Sequence, residues 1–144
     1  MTTLDREARH AVGQDSRMRT GSGGRVHRDH VLAWLAAYEQ AWRSAGTTAL
    51  AGLFTEHATY QQAPYEEVLT GRPAIAGMWE AERAGPAEVF RMASQIVAVD
   101  GDTAVARVEV WYGNPVQQEF RDLWVIRFAD DGRCAAFEEW PFQP

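Results

Sequence analysis

The fold of this chain is decided by residues 88–142, EVFRMASQIVAVDGDTAVARVEVWYGNPVQQEFRDLWVIRFADDGRCAAFEEWPF. Apolar and polar side chains alternate through four segments of this stretch, with the period of two residues that is typical of β-strands. Turn-forming residues separate the segments: Gly101-Asp102, Gly113-Asn114-Pro115 and Asp130-Asp131-Gly132. The stretch therefore predicts four long strands joined as an antiparallel meander.

The third predicted strand carries a carboxyl group within an apolar face. Alternation places Asp122 on the same face as Phe120, Trp124, Ile126 and Phe128. A charge in such a face is costly unless it has a partner or a function. Two interpretations of Asp122 follow, an acid/base group in a cavity and a structural carboxylate bonded to Tyr38 or Tyr60.

Three helices are predicted ahead of these strands. The first begins at Asp29 as its N-cap, and its apolar face is Val31, Leu35, Tyr38 and Trp42. The second is short and carries Leu50, Leu53 and Phe54. A short strand, HATYQQ (57–62), precedes the third helix, which opens at Pro73 and carries Ile75, Met78 and Trp79. Helices followed by a strand meander are typical of an α+β fold.

The first 28 residues differ in composition from the rest. They are polar, rich in Arg and interrupted by Gly and Ser, so they cannot bury enough apolar surface to order themselves. We expect a disordered or weakly ordered tail over residues 1–28 and one folded domain over residues 29–144. A chain of 144 residues fits a single domain.

Charge and composition exclude several classes of function. The net charge is −6, and residues 29–144 hold eight Arg against seventeen Asp or Glu, so neither nucleic acid nor an anionic membrane is expected as a partner. Cys134 is the only cysteine, no set of metal ligands converges, and no cofactor-binding motif is present. We therefore expect no metal and no cofactor. No signal or membrane-spanning segment is found, which predicts a cytoplasmic location.

Three stretches resemble one known superfamily. They are YEQAWRSAGTTALAGLFTEHATYQQAP (38–64), LTGRPAIAGMW (69–79) and FRDLWVIRFADDGRCAAFEEW (120–140). They resemble the nuclear-transport-factor-2-like superfamily, especially its SnoaL-like branch and the ketosteroid isomerases. The resemblance implies a cone, in which a strongly curved antiparallel (mixed) sheet is wrapped on three N-terminal helices and holds an internal cavity. Isomerases, cyclases, hydratases, epoxide hydrolases and non-enzymes share this fold, so it does not decide the function.

The ketosteroid isomerase mechanism does not carry over intact. Tyr38 matches the tyrosine that donates a hydrogen bond to the forming enolate, whereas the general-base position falls on Gln62 or Ala63. Trp124 stands where the isomerases place a second, protonated acid, and Asp122 lies two residues earlier on the same face. The epoxide hydrolase pattern is also broken, because its Arg and Asp share a face while Arg121 and Asp122 are neighbours on opposite faces.

The SnoaL-like cyclases use an acidic residue as acid and base without a metal, and Asp122 is the candidate for that role. Burial among aromatic side chains would raise its pKa toward a useful range. We expect Asp122 and Tyr38 to be catalytic. We expect the ligand to contact Tyr60, Gln62, Trp79, Tyr112, Trp124 and Glu139.

The orientation of the two neighbouring glutamates stays open. The superfamily register turns Glu139 inward, whereas the apolar Trp140 favours the reverse, with Glu138 inside. The expected function is the binding of a small hydrophobic molecule with metal-free acid/base chemistry of the isomerase, cyclase or hydratase type. The alternative is a non-catalytic ligand-binding or homodimeric structural domain. A homodimer is expected from the resemblance and from Trp111, Leu123 and Val125 on the outer sheet face.

Overall fold

The computed structural model describes residues 24–144 as three helices and six strands. Residues 1–23, most of the predicted tail, lie outside the described residues. The elements are α1 (Arg28–Arg43), α2 (Leu50–Leu53), β1 (Phe54–Gln61), β2 (Leu69–Thr70), α3 (Arg72–Glu82), β3 (Phe90–Asp100), β4 (Thr103–Tyr112), β5 (Gln118–Phe128) and β6 (Cys134–Phe142). The four long strands predicted from the alternation are confirmed.

All six strands form one mixed sheet in the order β2-β1-β6-β5-β4-β3. β1 and β6 are parallel, and every other neighbouring pair is antiparallel. Register shifts interrupt the pairing between Phe54 and Thr59, between Ile96 and Ala98, and between Arg127 and Phe128. Such irregularities bend and twist a sheet, which allows it to curve around the helices without closing. The predicted α+β class with a curved, mixed sheet is confirmed.

An aromatic cluster fills the space between α1 and the sheet. Phe137 of β6 lies at its centre, with its ring stacked on Tyr60 at 4.5 Å and edge-on to Trp124 at 5.0 Å between centroids. Trp34 of α1 adds to the same cluster and donates its indole N–H to the carbonyl of Leu53 at 3.0 Å. We call this cluster of Trp34, Tyr60, Trp124 and Phe137 the aromatic floor, because the functional side chains described below belong to it or pack against it.

Two predicted boundaries were wrong. The N-cap of α1 is His27 rather than Asp29, and it makes no side-chain capping bond. Phe54 was assigned to the second helix but is the first residue of β1, with an extended backbone (φ −123°, ψ 143°) and a pairing to Cys134. Its side chain is fully buried, and burial fits a strand as well as a helix, so the apolar pattern alone misplaced it.

The outer face of the sheet carries several exposed apolar side chains. Leu123 and Trp140 lie opposite each other on β5 and β6 and are 38% and 41% exposed. Trp111 is partly covered by the guanidinium of Arg91, 4.9 Å from its ring centroid. The homodimer expected on this face stays a prediction. No helix within residues 24–144 is long and apolar enough to cross a membrane.

Candidate functional site

A cavity of about 240 Å³ lies between the inner face of the sheet, α1 and α3. Its wall holds residues from both helices, from the end of β1 and from the four C-terminal strands. Seven of the eight residues expected from the sequence line it: Tyr38, Tyr60, Gln62, Tyr112, Asp122, Trp124 and Glu139. The structure therefore brings these chain-distant groups into one chamber.

Strand alternation explains how two carboxyl groups reach the same wall. On β5, Asp122 and Trp124 point inward, and on β6, Glu139 and Pro141 do the same. The register pairs Trp124 with Glu139 and Asp122 with Pro141. Asp122 and Glu139 are therefore diagonal neighbours on adjacent antiparallel strands. The Cα atoms of such neighbours are roughly 7–8 Å apart, a distance that one small ligand can span.

Asp122 is only partly satisfied by hydrogen bonds. It is 7% exposed, and its Oδ2 accepts a long bond of 3.4 Å from the indole N–H of Trp124. Its Oδ1 is buried and has no hydrogen-bond partner among residues 24–144. Desolvation raises the pKa of Asp122 to about 6, although Trp124 and the backbone N–H of Phe142 act in the opposite direction. The structural alternative, a bond from Asp122 to Tyr38 or Tyr60, is not observed.

The two tyrosines instead form a chain that ends on Glu139. The hydroxyl of Tyr60 donates to Glu139 Oε1 at 2.6 Å, and the hydroxyls of Tyr38 and Tyr60 are 2.8 Å apart. Because the Tyr60 proton is used for Glu139, Tyr38 donates to Tyr60. Burial, followed by the charge of Glu139, raises the pKa of both tyrosines well above the usual value, so both remain proton donors.

Glu139 is the more strongly perturbed of the two carboxyl groups. Burial raises its pKa to about 8, the bond from Tyr60 opposes this, and the charges of Asp122 and Glu82 add to it. Glu138 lies on the opposite face, where it accepts a bond of 2.5 Å from the indole N–H of Trp140. The orientation that the sequence left open is therefore Glu139 inside and Glu138 outside.

An amide and a carboxylate meet at the cavity mouth. Gln62, just after β1, donates its amide N–H to Glu82 Oε1 at 2.6 Å. Glu82 is the last residue of α3 and is exposed to solvent. The contact links the two sides of the opening, and it holds a negative charge there.

Trp79 does not line the cavity, contrary to the sequence prediction. It is 1% exposed and packs behind the wall, with its ring centroid 5.1 Å from Tyr38 and 4.9 Å from Trp42. Met78 and Glu82 present the α3 surface to the cavity instead. The rotation of α3 about its axis decides whether residue 78 or residue 79 faces the cavity. The apolar pattern of the helix does not determine this rotation, because both residues lie on its apolar side.

Several wall residues were missed by the sequence reasoning. Trp42, one helical turn after Tyr38, was predicted to lie in the core, and Glu82, one turn after Met78, was not predicted to line the cavity. Trp42 lies four residues after Tyr38, and Glu82 lies four residues after Met78. Residues four apart share a helix face, so this spacing predicts that both line the same wall. Pro141 was equally within reach, since it follows Glu139 at the strand period of two.

The scan against protein-family models matches the SnoaL-like domain over residues 31–137. The chain belongs to this family. The match covers all three helices apart from the first turn of α1, and it ends within β6. The resemblance drawn from the sequence is therefore confirmed for the SnoaL-like protein.

Solved structures show the same fold. An NTF-2 like protein of unknown function from Burkholderia xenovorans is 15% identical, with 81% of this chain and 85% of that chain covered and a TM-score of 0.62. A putative ketosteroid isomerase from Kribbella flavida is 17% identical, with 81% of this chain and 80% of that chain covered and a TM-score of 0.59. A putative polyketide cyclase from Sinorhizobium meliloti is 24% identical, with 74% of this chain and 93% of that chain covered and a TM-score of 0.58. No curated protein matches the chain in sequence.

Substituting Tyr60 by phenylalanine in the SnoaL-like protein should raise the pKa of Glu139 above its value of about 8. The hydroxyl of Tyr60 stabilises the ionised carboxylate, and its loss leaves that charge in the same half-buried place without its donor. Titration of the carboxyl-carbon NMR signal, assigned with a Glu139→Gln variant, measures the change. Tyr65→Phe is the matched control, because Tyr65 is fully exposed. An unchanged or lower pKa would contradict the hydrogen-bond chain.

The stability of the protein should fall as the pH rises from about 5 to about 8 through the ionisation of Asp122 and Glu139. Both carboxyl groups have a raised pKa in the folded state, so they keep protons that the unfolded chain has already lost. Urea unfolding over this range measures the slope. Glu139→Gln should make it shallower, and Glu138→Gln should leave it unchanged. A slope of equal size in Glu139→Gln would show that this carboxyl does not titrate as described.

Proposed function

We propose that this SnoaL-like protein is an enzyme that moves protons on a small, mainly apolar carbonyl compound, using only its own side chains. The observation that carries the proposal is the pairing of two carboxyl groups with raised pKa values, Asp122 and Glu139, on one wall of an aromatic cavity. Pairs of titratable groups whose pKa values are pushed apart typically serve as base and acid.

The two carboxyl groups suit opposite roles. With a pKa of about 6, Asp122 is largely ionised at neutral pH, and its Oδ1 is free of partners within residues 24–144. It can therefore accept a proton from a carbon next to a carbonyl group. With a pKa of about 8, Glu139 is largely protonated at the same pH and can donate. Tyr38 and Tyr60 form the hydrogen-bond chain that ends on Glu139, and this chain positions the acid beside the cavity.

The place occupied by the general base in ketosteroid isomerases holds no base here. The amide of Gln62 cannot accept a proton at neutral pH, and it is bonded to Glu82. The steroid double-bond shift in its usual form is therefore not what we propose. The names of the relatives, a putative ketosteroid isomerase and a putative polyketide cyclase, support isomerisation or cyclisation as the reaction type.

Exchange of carbon-bound hydrogen for deuterium tests the proposal without knowledge of the natural substrate. Indanone, a small bicyclic ketone, is incubated with the protein in heavy water, and loss of the signal of the hydrogens next to the carbonyl is followed by proton NMR. We expect the protein to accelerate the exchange over buffer, and a Glu138→Gln control to do so equally. Binding of indanone without acceleration would contradict catalysis.

The second candidate function is a binding domain without catalysis. It is favoured by the loss of the family's base at Gln62 and agrees with the same cavity. Under this alternative, a ligand raises the melting temperature of the protein, while Asp122→Asn leaves its affinity largely unchanged. The exchange experiment separates the two functions, because only the enzyme turns a bound ketone into a labelled one.

A further inference from the structure

The charged side chains that line the cavity are all acidic among the residues that the structure describes. Three carboxyl groups line it, from Glu82, Asp122 and Glu139, whereas none of its lining residues within the described range 24–144 is Arg, Lys or His. The surroundings of Tyr112 agree: burial first, and then the charges of four acidic residues, raise its pKa to about 12. No charged side chain among these lining residues would attract an anionic ligand.

The carboxyl groups of Asp122 and Glu139 also have no compensating positive charge from residues 24–144. No basic group within residues 24–144 lowers the pKa of Asp122 or Glu139, and Asp122 and Glu82 raise the pKa of Glu139 through their charge. The Oδ1 of Asp122 is buried without a partner in this part of the chain. A buried acceptor without a donor is costly, and a donor on a ligand would remove that cost.

The remaining wall suits a positive charge as well. Tyr38, Trp42, Tyr112 and Trp124 are among the aromatic side chains that line the chamber. The faces of aromatic rings attract ammonium groups, and this attraction is strongest in a site shielded from water. Carboxylates and aromatic faces together are the recognition chemistry of an organic cation, whereas either alone would also fit a neutral ligand.

We infer that the ligand of this cavity carries a protonated amine on its apolar body. The amine lies among the carboxyl groups of Glu82, Asp122 and Glu139, and the hydrocarbon part lies against the aromatic rings. The inference deepens the proposed function by naming the charge class of its substrate, and it rests on that function only in taking this cavity as the ligand site.

Three probes that share one skeleton test the charge directly. Aminoindane is a cation, indanone is neutral and indane carboxylate is an anion, while their bulk is nearly the same. We expect isothermal titration calorimetry to give an affinity for aminoindane about tenfold higher than for indanone. We expect no measurable binding of indane carboxylate.

Variants assign the preference to the cavity. Glu139→Gln keeps the shape of the side chain, but it cannot ionise when an ammonium group binds beside it. It should therefore bring the affinity for aminoindane close to that for indanone. Glu138→Gln makes the same change on the opposite face of β6 and should leave the preference intact. Melting temperatures without ligand show that both variants fold.

The outcomes separate this inference from the proposed function. If indanone bound as tightly as aminoindane, the inference that the ligand carries an amine would be wrong. Deuterium exchange of indanone could still support the proposed enzymatic function. Tighter binding of indane carboxylate than of aminoindane would also overturn the inference that the ligand carries an amine. A tenfold preference that survived in Glu139→Gln would place the cation away from this carboxyl group. If none of the three probes bound, both proposals would fail for ligands of this size.

Discussion

Asp122→Asn should lower the rate of deuterium exchange into indanone by about 10²- to 10⁴-fold, the usual contribution of a positioned general base. The amide has nearly the shape of the carboxyl group, but it cannot accept a proton at neutral pH. The indole N–H of Trp124, which is 3.4 Å from Oδ2, can still donate to the amide oxygen. The loss of rate would therefore follow from the missing base rather than from a rearranged wall.

Stability makes the test of Asp122 sharper. Ionised Asp122 is a buried charge without a basic partner among residues 24–144, so Asp122→Asn should leave the melting temperature unchanged or raise it near neutral pH. A residue that served only the structure would show the reverse, a less stable protein. Asp100→Asn is the control, because Asp100 is exposed at the end of β3. Full exchange activity in Asp122→Asn would remove Asp122 from the mechanism.

The orientation of Asp122 was predictable because strand alternation is rigid. A β-strand turns every second side chain to the same face, so identifying β5 also placed Trp124 beside Asp122. The burial of β5 follows this rule, with Asp122, Trp124, Ile126 and Phe128 buried and the residues between them exposed or half-buried. Local periodicity was sufficient for this wall of the cavity.

The contacts between distant segments could not be predicted in the same way. Tyr60 and Glu139 are 79 residues apart and meet only because β1 runs parallel to β6. The sequence of β6 was also ambiguous, since Trp140 suggested an inward position. In the structure Trp140 is 41% exposed, and its N–H is bonded to Glu138. Apolar character indicates burial only on average, and an indole with a polar partner tolerates the outer face.

Phe137→Ala should cost about 3–5 kcal/mol of unfolding free energy, the largest stability effect we expect of a single substitution here. Phe137 is 2% exposed, and its ring contacts those of Tyr38, Tyr60 and Trp124. Alanine removes the ring that all three share and leaves a void below the hydrogen-bond chain. Urea unfolding monitored by tryptophan fluorescence measures the loss.

The same substitution tests whether the aromatic floor positions the catalytic groups. Phe142→Ala is the control in the same strand, because Phe142 is 57% exposed and its removal should change stability by less than about 1 kcal/mol. If Phe137 holds Tyr60 against Glu139, Phe137→Leu should recover most of the stability and only part of the exchange activity, since a branched aliphatic side chain fills volume without stacking on a tyrosine ring. Equal recovery of both would show that the floor supplies bulk alone. A cost as small as that of Phe142→Ala would mean that the cluster repacks, and Tyr38 and Tyr60 would then owe their positions to Glu139 rather than to Phe137.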